Sequence, residues 1–101
     1  MAYNRLAFDR VAIAPSTRTA IIAPIPCNAV TFEQTDQVNA AKVWDSSVGG
    51  SYKELPAGTE RIFEATHDAY SNGGNVFRVG DVVAYVEAVA GTGPIAVEFL
   101  L

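Results

Sequence analysis

Few side chains in this chain of 101 residues are of types that do chemistry, and their spacing decides how each is read. His67 is the only histidine and sits beside Asp68. Neighbours on an extended chain point to opposite faces, and no Gly-x-Ser-x-Gly elbow supplies a nucleophile for a triad. His67 therefore reads as a solvated loop histidine. Cys27 is the only cysteine, so neither an intrachain disulfide nor a thiolate pair for zinc can form. With no basic neighbour in sequence to lower its pKa, it reads as a small hydrophobe opening a strand. Asp36, Asp45, Asp68 and Asp81 fall in or beside loops, without the closely spaced Asp/Asn ladder of a calcium loop. Gly49-Gly50 and Gly73-Gly74 precede no helix, which argues against a phosphate cradle. Trp44, Tyr52 and Tyr70 are candidate sugar-stacking rings, and core packing explains Trp44 at least as well. The reading is a non-enzyme, with no catalytic residue, metal-ligand set or cofactor.

Composition narrows the class further. A chain of this length forms one domain with a modest core. Only 18% of its residues are charged against a usual quarter, which fits either apolar surface left uncovered for contact with other chains or a well-filled two-layer core. The formal net charge of −4 and the scatter of the seven basic residues argue against nucleic-acid binding, which needs clustered cations. No run is long and apolar enough to span a bilayer, and the N-terminal residues lack a signal-peptide core. Folding in a reducing cytoplasm is the expectation.

The elements that must carry these residues read as β throughout. Residues 1–19 have no clean period and form an arm or an edge strand; Pro15-Ser16-Thr17 ends it. Residues 20–101 make up the body. Ala20 to Pro26, with two prolines, reads as an extended edge segment. Asn28 to Gln34 alternates, with Val30 and Phe32 inward and Thr31 and Glu33 outward. Val38 to Trp44 admits a short helix capped by Thr35, but a strand over Ala40 to Trp44 suits its β-like surroundings better. Asp45 to Ser51 is a loop, Leu55-Pro56-Ala57-Gly58 a turn, and Arg61 to Ala65 a strand with Phe63 inward. A long polar loop over 66–75 leads to a short strand, Asn75 to Val79, with Phe77 and Val79 inward.

The strongest local pattern is at the end. Val82 to Val89 and Ile95 to Leu101 each present one charge-free face. A hairpin closed through Ala90-Gly91-Thr92-Gly93 pairs Val86 with Val97, Ala84 with Phe99 and Val82 with Leu101, and brings Tyr85 and Glu98 together outside. Seven to nine short strands without a convincing helix predict an all-β, single-domain antiparallel sandwich, jelly-roll or immunoglobulin-like.

Four turn motifs in order carry a resemblance: Ile25-Pro26-Cys27-Asn28-Ala29-Val30, Leu55-Pro56-Ala57-Gly58, Phe77-Arg78-Val79-Gly80-Asp81-Val82-Val83-Ala84 and Gly91-Thr92-Gly93-Pro94-Ile95-Ala96-Val97. Across residues 20 to 101 the pattern resembles the small β-sandwich decoration, or cement, proteins of tailed bacteriophage capsids. The resemblance implies a virion structural protein on the capsid surface, assembled in the bacterial host cytoplasm. Its partner would be the major capsid protein, its state a homotrimer, with neither nucleic acid nor membrane involved. The implied contacts are Tyr3, Leu6 and Phe8 in an extended N-terminal arm, and Tyr70, Ser71, Asn72 and Asn75 in the long loop. The rival readings are a carbohydrate- or receptor-binding sandwich using Trp44, Tyr52 or Tyr70, and a neck, tail or fibre-anchoring component.

Overall fold

A computed structural model describes residues 6–64 and 77–100. Eight strands run in chain order: β1 (Leu6–Val11), β2 (Thr19–Ile22), β3 (Ala29–Gln34), β4 (Ala41–Trp44), β5 (Tyr52–Leu55), β6 (Glu60–Glu64), β7 (Val82–Ala88) and β8 (Ile95–Leu100). Among the described residues there is no helix, so none is long and apolar enough to cross a membrane. The strands form two four-stranded antiparallel sheets, ordered β1-β8-β3-β6 and β2-β7-β4-β5. The expected all-β sandwich is what the chain forms.

The sheets close over one apolar core. Alternation on β3 turns Val30 and Phe32 inward, and on β8 it turns Ile95, Val97 and Phe99 inward; all are buried. From the second sheet come Ile21, Val43, Leu55, Ala84, Val86 and Ala88. Each fully buried large side chain stabilises the fold by roughly 1.5–3 kcal/mol. Phe63 packs edge-on against Phe32, their centroids 5.4 Å apart, as its expected inward position requires. Val38 to Trp44 resolves as a strand over residues 41–44 rather than as a helix.

The C-terminal hairpin does not form. β7 pairs with β2 and β4, whereas β8 pairs with β1 and β3, so residues 89–94 cross from one sheet to the other. The two charge-free faces do meet, but across the core rather than side by side. Ala84 lies opposite Ile21, Val82 opposite Ile22, and Tyr85 and Glu98 occupy outer faces of different sheets. Two rows that both demand burial are satisfied equally by pairing and by facing, and longer-range pairing decides between them.

Val79 is a second correction. Phe77 makes an isolated bridge to Cys27, but the chain then turns at once: the Asp81 N–H donates to the Arg78 carbonyl and the Arg78 N–H to the Asp81 carboxylate. Gly80, at φ +92°, completes the turn, and Val79 is left exposed. β5 is a strand the sequence reading passed over. The stretch 1–19, read as an arm or an edge strand, supplies β1, whose six residues pair along β8 as the edge of the first sheet.

Candidate functional site

The outer face of the second sheet gathers Trp44, Tyr52 and Tyr85 together with the cations Arg18 and Lys42. The β4–β5 and β4–β7 registers set Trp44 beside Tyr52 on one side and Tyr85 on the other. The Trp44 and Tyr52 rings lie 4.7 Å apart, and the Arg18 guanidinium stacks 3.5 Å above the Trp44 ring. Arg18 is held there because its Nη1 donates to the Ser46 and Gly49 carbonyls, each at 2.8 Å. The Lys42 ammonium stands 4.8 Å from the Tyr52 ring, and Trp44 Nε1 donates to the Glu87 carboxylate at 2.9 Å. A shallow depression of about 620 Å³ lies over Arg18, Lys42, Trp44 and Glu87. Its strongest groups are committed to one another. A sugar stacking on the ring face that Arg18 covers must first displace the guanidinium, so Trp44 is not an open platform; it is half-buried on the outer face rather than in the core.

The loop acids close turns. Asp36 accepts from the Val38 and Asn39 N–H groups and from Asn39 Nδ2, and these hydrogen bonds hold its carboxyl below the usual carboxylate range. Gly91 packs so tightly on Asn39 and Asp36 that an added Cβ would lie 2.8 Å from Asn39 Nδ2. The Thr35 hydroxyl donates to the Pro94 carbonyl, joining the same two loops. Asp45 accepts from Ser51 N–H in the β4–β5 loop. Cys27 is fully buried, and burial, reinforced by the nearby Asp81 charge, pushes its thiol up to about 11. It behaves as the small hydrophobe expected of it. Among the described residues no group of three His, Cys, Asp or Glu side chains could hold a metal ion.

The outer face of the first sheet is different in kind. Register places Phe8, Glu98, Thr31 and Ile62 in one row across the four strands, and Arg10, Ala96, Glu33 and Glu60 in the next. These rows line a dish of about 540 Å³, with the short side chains of Thr31 and Ala96 on the two central strands. Phe8 is 69% exposed on the edge strand. Glu33 and Glu60 stand directly opposite one another, a like-charge pair that costs stability where nothing offsets it.

Of the expected contact residues, this face receives Phe8, while Leu6 opens β1 opposite Leu100. Tyr3, Tyr70, Ser71, Asn72 and Asn75 lie outside the described residues, as do His67 and Asp68. The sequence reading missed the Arg18–Trp44 stack and the grouping of Thr31, Glu33, Glu60 and Glu98. Outward Thr31 and Glu33 were signalled by alternation; their neighbours come from strands whose pairing alternation does not reveal. No protein-family model, curated protein or solved structure matches this chain significantly.

Proposed function

We propose that the chain is a non-enzymatic virion structural protein that binds the outer capsid surface and ties adjacent shell subunits together. The observation that carries this reading is Phe8, a large aromatic side chain 69% exposed at the edge of a β-sandwich. An edge strand has unpaired backbone groups open to another chain, and an exposed ring beside them can anchor such a contact. The strand order supports a jelly roll over an immunoglobulin-like sandwich. Only β4 and β5 are joined directly within one sheet, and every other connection passes between sheets. Jelly rolls recur in viral capsid and lectin domains, a likeness of fold only. Clamping needs no reacting group, only a rigid body with a complementary face.

Quantitative mass spectrometry on particles banded from the source lysate tests it. Copy numbers comparable with the major shell protein are expected. A handful of copies per particle would move the assignment to a neck, tail or fibre-anchoring part, and absence from particles would overturn the virion reading.

A further inference from the structure

On the dish of the first sheet, polar groups are left without partners. Thr31 is only 8% exposed, yet its hydroxyl has no hydrogen-bond partner among the described residues. Among the described residues no fully enclosed side-chain oxygen lacks a partner, so this hydroxyl reaches the solvent of the dish it lines. Around it the charged lining comprises four acids, Asp9, Glu33, Glu60 and Glu98, and one base, Arg10, a net charge of −3. Among the described residues none of the three glutamates has an ion-pair partner. Glu98 lies opposite Thr31 in the ladder, Glu33 opposite Glu60, and Phe8 opposite Glu98 at the rim.

We propose that this dish is the docking site for a lysine or arginine side chain carried by an extended segment of a partner protein. The inference rests on the reading of the chain as a protein-binding module. The cationic head sits among Glu33, Glu60 and Glu98 over the Thr31 hydroxyl, and its aliphatic stem lies along Ala96 and Phe8. The carboxylates come from three strands and do not converge on a point, as a bare metal ion taking six or more oxygens would require. A long, flexible ammonium or guanidinium suits such a spread, and an aromatic ring at the rim adds cation–π attraction. The entering cation also relieves the repulsion between Glu33 and Glu60.

The test is titration of a fluorescein-labelled hexalysine peptide with the intact chain at low salt, read by anisotropy. Glu33→Gln is expected to weaken binding about fivefold or more. Glu54→Gln makes the same change in net charge on the other sheet and is expected to leave binding within about twofold. Thr31→Val, nearly isosteric, should weaken binding about threefold with the melting temperature held. Equal weakening by Glu33→Gln and Glu54→Gln would show attraction to net charge alone and overturn the proposal. Absence of peptide binding, or calcium binding without peptide binding, would overturn it too. The assay uses the isolated chain, so its failure leaves the particle count untouched, and a failed particle count leaves the docking result standing.

Discussion

The two outer faces of this sandwich carry similar numbers of polar side chains and spend them in opposite ways. On the second sheet, Arg18 is stacked on Trp44 and bonded to two carbonyls, Trp44 is bonded to Glu87, and Lys42 stands over Tyr52. On the first sheet, Glu33 faces Glu60, and the Thr31 hydroxyl and the three glutamates find no partner among the described residues. A face whose groups satisfy one another stabilises the fold and offers little to a ligand. A face with uncompensated charge costs stability and keeps its binding capacity for something else. The contrast assigns scaffolding to the second sheet and recognition to the first.

Removing the centre of the satisfied face should do the most damage. Trp44→Ala loses a half-buried ring, its stacking with Arg18 and Tyr52, and the bond to Glu87, at a cost of about 2–3 kcal/mol. Chemical denaturation measures this directly, and a loss below about 1 kcal/mol would break the comparison. Arg18→Ala removes one stack and two hydrogen bonds and should cost about 1–2 kcal/mol. Arg18→Lys should recover less than half of that, because an ammonium cannot lie flat on the indole while reaching both carbonyls.

The sequence made the faces of strands legible more readily than their partners. On β3, Val30 and Phe32 went inward and Glu33 outward as alternation required. The inner rows of β7 and β8 were equally plain, yet their pairing was not. A connection of residues 89–94 can close a hairpin or cross the core, and nothing local distinguishes the two. β5 was hidden because only Leu55 of its four residues is buried; Lys53 sits on the core side of the sheet but remains exposed at its edge. The recognition face was half visible. Thr31 and Glu33 were read as outward, but Glu60 opens β6 one residue ahead of the expected start, and Glu98 was assigned to Tyr85. The Arg18–Trp44 stack joins a residue just ahead of β2 to one on β4, strands that β7, lying between them, brings together.

Cys27 belongs to neither face and gives a baseline from the interior. Alanine in its place removes a buried sulfur at about 1 kcal/mol near neutral pH. The sign of the pH effect follows from its raised pKa. Between about 9, where the unfolded thiol ionises, and about 11, where the folded one does, the unfolded state binds fewer protons. Stability of the unaltered chain therefore falls as pH rises through that window, and its advantage over Cys27→Ala should narrow. Denaturation midpoints of both proteins from pH 7 to 10.5 measure the gap; a constant gap would mean the thiol is not held neutral by burial.

The smallest effect bears most directly on the comparison. If the first sheet carries uncompensated repulsion, removing charge there should help the fold. Glu60→Gln keeps the shape of the side chain and relieves its cross-strand partner Glu33, so stability should rise by about 0.3–0.5 kcal/mol at low salt. The gain should fade near 1 M salt, where screening acts within about 3 Å. Glu87→Gln is the matching change on the second sheet, where Trp44 Nε1 donates to that carboxylate, and it should lower stability instead. Opposite signs on the two faces would follow from one sheet having spent its charges and the other having kept them. The same sign on both would reduce the contrast to net charge, because a protein at −4 is relieved by losing any acid.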